Sequence, residues 1–232
     1  MNIALEVKNI TKIINEETIL NNISFKLSEG RITALLGPNG SGKTTILKIL
    51  SKLINYDSGD IVLKNGLNYD RKNIMMVFDE PILYEELTGI EHLNFNIELY
   101  NIKITRAEKL KYIALFQLEL FIEKAIYTYS FGTKKKLQLL CTLINNPSIL
   151  LLDEYISGLD PLSLYNIKCI LKDYVSKGNT VLLVTHMLDV AEKFCDDIIL
   201  LTNGNVVNTN ILSVDELRRN YSSLEDFYMK SI

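Results

Sequence analysis

The sequence lacks a strong charge of either sign, a long apolar run and an N-terminal targeting pattern. Its net charge is −3, without a long block of like charge, which argues against a nucleic-acid binder, because such proteins usually need a basic face. The longest apolar runs, "SILLL" (148–152) and "VLLV" (181–184), are far shorter than the ~20 residues that span a bilayer. The N-terminal "MNIALEVKN" lacks the basic start and apolar stretch of a signal peptide. We therefore expect a soluble, cytoplasmic chain with no nucleic-acid partner. Any membrane span that it needs must belong to another subunit.

Cysteine is also scarce. The chain has three cysteines, Cys141, Cys169 and Cys195, which are widely spaced and form no CxxC pair. This spacing argues against a metal site or a disulfide framework. We expect each of them to be a buried, reduced thiol.

The order of apolar patterns predicts an α/β fold with a helical insert. Short strand-like stretches come first, helical spacing covers about 83–145, and two nearly all-apolar runs follow. Such runs are typical of central strands in a parallel sheet that is covered on both faces. The predicted strands are 3–7, 23–27, 31–36, 59–66, 148–153 and 180–185, with a helix between the last two and a hairpin around Asn203-Gly204 at 197–207.

The stretch "GPNGSGKTT" (37–45) matches the phosphate-binding pattern G-x-x-x-x-G-K-[ST] at every fixed position. A predicted strand precedes it and a helical pattern follows. Glycines let backbone N–H groups turn toward phosphate oxygens, Lys43 supplies a point charge, and the Thr44 hydroxyl can bind Mg²⁺. The expected nucleotide-binding residues are Gly37, Pro38, Asn39, Gly40, Ser41, Gly42, Lys43, Thr44 and Thr45.

Three further residues are candidates for the chemistry at this site. Asp153 ends the apolar run "ILLLDE" (149–154), where a water-mediated Mg²⁺ contact is needed, and Glu154 can orient or deprotonate the attacking water. His186 ends "LLVTH" (182–186) and is predicted to sense the γ-phosphate. The alternatives are acidic residues that merely follow a buried strand, and a core histidine. We assign a structural role to His92, which has no partner motif.

These motifs, with "YSFGTKKKL" (129–137) and "SGLDP" (157–161), resemble the ATP-binding subunit of ABC transporters over nearly the whole chain. Ser130 and Gly132 match the family's signature segment, commonly written LSGGQ. The residues that differ from its common letters are Tyr129, Phe131 and Thr133.

The resemblance implies a P-loop NTPase core of mainly parallel sheet, an N-terminal antiparallel β region and an inserted helical subdomain. It implies ATP and Mg²⁺ as ligands, with Lys43, Glu154 and His186 as catalytic residues. It also implies a head-to-tail pair of ATPase subunits, identical or paralogous. In that pair Ser130, Gly132 and Asp160 of one subunit would complete the site of the other.

Two positions depart from the family pattern. Ile14 stands where the family has an aromatic that stacks on adenine, which predicts weaker ATP binding and poorer discrimination against GTP. Asp79 stands where the family has a glutamine near the Mg²⁺ and water. The charged and shorter aspartate would act either as an adapted metal ligand or as a brake, and we expect hydrolysis to be retained.

The resemblance also implies a domain plan and a partner. The expected plan is a single domain over 1–232, with a core of 1–82 and 146–212, a helical subdomain of 83–145 and a C-terminal tail of 213–232. The partner would be an integral membrane permease, which places the chain at the inner face of the cell membrane. The ending "SSLEDFYM" resembles subunits of antibiotic, lantibiotic and bacteriocin-resistance exporters. The alternatives are a soluble ABC-type ATPase and a weakly hydrolysing regulator.

Overall fold

The computed structural model describes residues 2–64, 69, 72–207 and 212–231 of the chain. The strands are β1 (Ile3–Ile14), β2 (Glu17–Ser28), β3 (Ile32–Leu36), β4 (Ser58–Leu63), β5 (Ile74–Val77), β6 (Ile149–Asp153), β7 (Thr180–Val184), β8 (Asp197–Thr202), β9 (Asn205–Val206) and β10 (Leu212–Ser213). The helices are α1 (Lys43–Leu50), α2 (Gly89–Leu99), α3 (Arg106–Leu115), α4 (Phe131–Leu143), α5 (Pro161–Ser176), α6 (Leu188–Phe194), α7 (Val214–Asn220) and α8 (Leu224–Ser231).

The central sheet is mainly parallel, as predicted. Its strands follow the order β10-β8-β3-β7-β6-β5, and β9 pairs with β8. The pairs from β8 through β3, β7 and β6 to β5 are all parallel, while β9 and β10 pair antiparallel with β8. The carboxyl ends of β3, β6 and β7 therefore lie along one edge of the sheet, which is where ligands bind in such folds.

The central strands are buried on both faces because their side chains alternate between two hydrophobic cores. In β6, Leu150 and Leu152 pack in one core while Ile149 and Leu151 pack in the other. The same alternation holds in β3 and β7, in agreement with the two-residue period of a strand. One core includes residues of the helical insert and α5, and the other includes α1 and the N-terminal strands.

The N-terminal strands form a separate antiparallel sheet in the order β2-β1-β4. Strands β1 and β2 are longer than predicted, because the polar ends of the hairpin continue to pair as far as Ile14 and Glu17. Strand β5 was missed by the sequence patterns. It has only four residues, "IMMV", and pairs with β6 at the edge of the central sheet.

The helical insert contains α2, α3 and α4, as the helical spacing predicts. Helices α2 and α3 each begin with a capping box, in which a threonine and a glutamate three residues later bond to each other's backbone: Thr88 with Glu91, and Thr105 with Glu108. His92 is buried within α2, in keeping with a structural role. In the described residues, no helix is both long and apolar enough to cross a membrane.

The C-terminal tail packs onto the core through the apolar residues of "SSLEDFYM". Leu224 and Phe227 are buried, and the Leu224 N–H donates to Glu192 in α6 at 3.0 Å. The cysteine prediction was correct for Cys141 and Cys195, whose thiols are free and buried, but wrong for Cys169, which is free and exposed. Cys169 lies on α5, whose buried face is formed by residues such as Ile167 and Ile170.

Candidate nucleotide-binding site

The loop between β3 and α1 is shaped by glycines that no larger residue could replace. A Cβ atom on Gly37 would lie 2.0 Å from the Leu201 carbonyl oxygen. Gly42 has a φ of +102°, and a Cβ there would lie 2.6 Å from a methyl carbon of Leu20. The loop therefore fits closely against β2 and β8, and α1 begins at Lys43 with its first N–H groups free of intrahelical acceptors.

Lys43 is held inside this loop. Its Nζ donates to the carbonyl oxygens of Gly37 at 2.8 Å and Pro38 at 2.9 Å. Burial lowers the pKa of the Lys43 ammonium, and the charges of Glu154 and Asp153 partly oppose that shift. The Lys43 ammonium therefore lies beside the loop and close to the carboxylates of Glu154 and Asp153.

Asp153 and Thr44 meet at the end of β6. Asp153 is buried, and the Thr44 side chain lies beside its carboxylate. Burial raises the pKa of Asp153, and the neighbouring carboxylates of Glu154 and Asp79 raise it further. A buried carboxylate beside a hydroxyl offers oxygen donors of the kind that Mg²⁺ prefers.

Glu154 and His186 also come together, as the motif order predicts. The His186 Nδ1 lies 2.9 Å from Glu154 Oε2, and the same oxygen accepts from the Ser157 hydroxyl at 3.2 Å. Glu154 has a φ of +45°, an unusual conformation for a non-glycine residue. Its N–H donates to the Val184 carbonyl at 3.1 Å, which ties this turn to the end of β7.

Asp79 has a partner that the sequence patterns did not indicate. Its Oδ1 accepts from the Lys135 Nζ at 3.0 Å, and Lys135 is completely buried. Nothing in the letters of the run "KKK" (134–136) singles out the middle lysine. The predicted contact of Asp79 with a metal stays a prediction.

Ser130 and Gly132 lie at the exposed start of α4. Ser130 caps the helix: its Oγ accepts from the Thr133 N–H at 3.2 Å and lies 2.8 Å from Thr133 Oγ1. A Cβ added at Gly132 would have no heavy atom of the described residues within 4 Å, apart from its chain neighbours and the backbone of its own helix. Tyr129, by contrast, is buried and donates to the Phe121 carbonyl at 2.6 Å, so it belongs to the core of the insert.

The remaining predicted residues, Asp160 and Ile14, are both exposed. Asp160 caps α5 by accepting from the N–H groups of Leu162 at 3.1 Å and Ser163 at 3.0 Å. These hydrogen bonds from Ser163 and Leu162 lower the pKa of Asp160. Ile14 ends β1 at the β1–β2 hairpin, and 40% of its surface is exposed to solvent.

The residues present fit a nucleoside triphosphate. Gly37 and Gly42 let the loop fold closely onto β8 and β2, and the helix N-terminus and Lys43 favour an anion. The described residues contain no cluster of three or more His, Cys, Asp or Glu that could hold a metal alone. A divalent ion here would need ligands from the nucleotide, as Mg²⁺ commonly does.

Comparison with known proteins agrees with this geometry. The family model described as ABC transporter matches residues 20–157. The chain is 30% identical to the lantibiotic transport ATP-binding protein SrtF of Streptococcus pyogenes over 207 residues, which cover 88% of this chain and 89% of SrtF.

Two solved structures show the same fold over most of their length. An ATP-binding subunit of an ABC transporter has a TM-score of 0.86 and 30% identity, with 98% of both chains covered. The ATP-binding cassette MJ0796, solved as a dimer in a post-hydrolysis state with ADP and Pi, has a TM-score of 0.76 and 28% identity, with 90% of this chain and 98% of MJ0796 covered. The chain belongs to the ABC transporter family and is an ATP-hydrolysing, ATP-binding subunit of that family.

Proposed function

We propose that two copies of this chain, or this chain and a paralogue, bind MgATP head to tail and drive a separate membrane permease. Each site would combine Gly37–Thr45, Asp153, Glu154 and His186 of one chain with Ser130, Gly132 and Asp160 of the other. Thr44 and Asp153 would hold the Mg²⁺ together with the phosphates. Binding would close the pair, and hydrolysis would reopen it.

The observation that carries this proposal is that the two parts of the predicted site are arranged differently within one chain. The phosphate loop, Asp153 and Glu154 are assembled on strand ends, whereas Ser130 and Gly132 face outward at a helix N-terminus. Within the described residues, the hydrogen-bond partner of the Ser130 hydroxyl is Thr133 of the same helix turn. A helix start with an open glycine is suited to an anion supplied from outside the chain.

The chemistry proposed for the chain's own residues follows from their contacts. The Lys43 ammonium would leave the carbonyls of Gly37 and Pro38 for the outer phosphates, since a charged acceptor makes the stronger hydrogen bond. Glu154 would hold the attacking water, and His186 would orient Glu154 and contact the γ-phosphate. The bound Mg²⁺ would neutralise the charge that develops on the phosphates.

The proposed cargo is a peptide, antibiotic or other amphipathic compound that the permease exports from the cell. Support comes from the similarity to SrtF, whose name describes lantibiotic transport, and from the C-terminal "SSLEDFYM". We place the chain at the inner face of the cell membrane, bound to the permease through the helical subdomain (83–145) and the 79–89 segment. The division into that subdomain, a core of 1–82 and 146–212 and a tail of 213–232 is part of the proposal.

Mixing two inactive chains tests the shared site. Lys43→Ala disables the phosphate loop and Gly132→Asp disables the signature segment. In a head-to-tail pair of one chain of each kind, one site keeps both parts, so the mixture should recover up to about a quarter of the wild-type phosphate release. The matched control is the chain with both substitutions, which should recover nothing when mixed with either single variant. No recovery in the first mixture, with both chains folded, would contradict the proposal.

The role of Glu154 and the transport role need separate tests. Glu154→Gln should bind ATP, hydrolyse it poorly and accumulate as a dimer, which gel filtration with and without MgATP measures. For transport, the chain should co-purify with an integral membrane protein, and a lantibiotic peptide should change the ATPase rate of that complex. Absence of any integral membrane partner would favour the soluble ATPase instead.

A further inference from the structure

A single buried ammonium joins three parts of the predicted site. Lys135, in the second turn of α4, has no exposed surface. Its Nζ donates to Asp79 Oδ1 at 3.0 Å and to the carbonyl oxygens of Tyr155 at 2.9 Å and Ser157 at 2.9 Å. A lysine ammonium has three N–H donors, so every donor is used. A buried charge is tolerated only with this degree of pairing.

The connection between α4 and the turn after β6 runs in both directions. The hydroxyl of Tyr155, which is completely buried, donates to the Lys135 carbonyl at 2.8 Å. The aromatic rings of Phe131 and Tyr155 lie 4.8 and 5.5 Å from the Lys135 Nζ, close enough for cation–π attraction. The second turn of α4 is therefore bonded to residues 155 and 157 through both main chain and side chain.

Three parts of the predicted site meet at Lys135: the start of α4, the turn after Glu154, and Asp79. The proposed reaction needs all three in the correct relative position. Ser130 begins the same helix one turn earlier. Tyr155 follows Glu154 directly, and Ser157 donates its hydroxyl to the Glu154 carboxylate at 3.2 Å. Asp79 lies near enough to Asp153 for its charge to act on that carboxylate. A shift of α4 would thus change the surroundings of Glu154 and Asp79 together.

We propose that Lys135 is a positioning residue that couples the Ser130 end of α4 to the Glu154 turn, and that its charge makes an aspartate acceptable at position 79. This inference rests on the proposed two-chain function. Lys135 is completely buried, and it acts through Tyr155, Ser157 and Asp79. Without Lys135, the Asp79 carboxylate would lie near Asp153 and the incoming triphosphate, and it would lose the cation that is bonded to it.

The test uses substitutions in the full chain carrying Glu154→Gln, so that closure is measured without turnover. Lys135→Gln should weaken MgATP-dependent dimerisation about tenfold or more while changing the affinity of the monomer for a fluorescent ATP analogue less than about threefold. Adding Asp79→Gln should restore most of the dimerisation, because no unpaired carboxylate remains. The matched control is Lys136→Gln, the neighbouring lysine, whose Nζ lies 3.4 Å from the Gln117 side chain.

Two outcomes of this experiment would overturn the proposal. One is dimerisation of Lys135→Gln equal to that of the parent. The other is a loss that Asp79→Gln does not reduce, since a purely structural lysine would not be rescued at position 79. If Lys135→Gln fails to fold, Asp79→Asn provides the test instead. Asp79 is half exposed and asparagine has the same shape, so this variant is expected to fold. It should weaken dimerisation about threefold or more, and an unchanged dimer would count against the coupling.

Hydrogen exchange separates this inference from the proposed function. In monomeric chains without nucleotide, Lys135→Gln should speed amide exchange both in the first turns of α4 and at residues 154–160, whereas Lys136→Gln should not. If the Glu154→Gln parent itself never dimerises, the two-chain function is wrong. The coupling between α4 and the Glu154 turn is then tested by the amide exchange rates alone. Faster exchange in α4 without any change at 154–160 would overturn the coupling.

Discussion

The phosphate-binding part and the signature part of this molecule are built on different principles. The phosphate-binding part sits on the ends of buried parallel strands, and its polar groups already bond to one another: Lys43 to Gly37, and His186 to Glu154. The signature part sits on an exposed helix start, where Ser130 bonds within its own turn and Gly132 faces open space.

The two parts are also held in position by different elements of the fold. Strand ends are fixed by the two hydrophobic cores, so the phosphate-binding part is preorganised wherever the sheet forms. The helix start is fixed by the placement of α4, which packs into one of these cores and is also bonded to the turn after β6 through Lys135 and Tyr155. Substitutions in the first part should abolish chemistry, and those in the second should alter assembly.

The largest effect is expected from Lys43→Ala. Phosphate release should fall at least about 100-fold, because a preorganised charge at the outer phosphates is lost. Since burial lowers the pKa of Lys43, the folded chain gains little stability from this charge. The unfolding temperature should change by no more than about 4 °C. Lys177→Ala, which removes an exposed lysine just after α5 that pairs with Asp173, is the control and should leave phosphate release near the wild-type rate. A large fall in unfolding temperature would refute the separation of chemistry from stability.

A smaller effect is expected from Gly132→Asp. A carboxylate at this helix start would repel the triphosphate of the partner chain and lower phosphate release about tenfold or more. The fold should persist because a Cβ at Gly132 meets open space. Gly132→Asn has nearly the same size without the charge and should retain most of the activity. Equal losses for both substitutions would point to shape rather than charge. Nucleotide affinity of the monomer, measured by fluorescence, should not change in either variant.

Ile14→Tyr should sharpen base selectivity. An aromatic at this half-exposed position could stack on adenine, which contributes about 1–3 kcal/mol in related stacking contacts. We therefore expect ATP affinity to rise about fivefold or more relative to the triphosphate without a base. Ile13→Tyr is the matched control, because adjacent strand residues point to opposite faces. If both variants bind ATP equally well, position 14 is not beside the base.

The smallest effect concerns acid sensitivity of the helical insert. Burial lowers the pKa of His92 below its ordinary value of 6.5. The unfolded chain therefore binds a proton at His92 near pH 6.5, whereas the folded chain does not. As a result, the free energy of unfolding falls as the pH drops from 7.5 to 5.5. Urea unfolding of His92→Phe should show a smaller fall. The same fall in His92→Phe as in the wild type would refute the assignment.

Much of the fold and of the phosphate-binding part could be predicted from the sequence because both have strong local patterns. The apolar runs 148–153 and 180–185 predicted buried parallel strands, and β6 and β7 confirm them. The glycine spacing of 37–45 predicted the loop, since its backbone conformations exclude side chains. The strand β5 was missed because four residues at a sheet edge carry too little pattern. Cys169 was predicted to be buried, although only the placement of α5 decides which of its faces is covered.

The sequence alone determined that the chain carries a phosphate loop, an acidic strand end and a signature segment on an α/β framework. Each of these depends on residues close together in the chain, where spacing and backbone geometry suffice. Only the tertiary structure decided that Lys135 pairs with Asp79, 56 positions away, and also bonds to the turn after Glu154. A buried lysine and an exposed one are identical letters, and the difference arises when α4 packs beside the ends of β5 and β6.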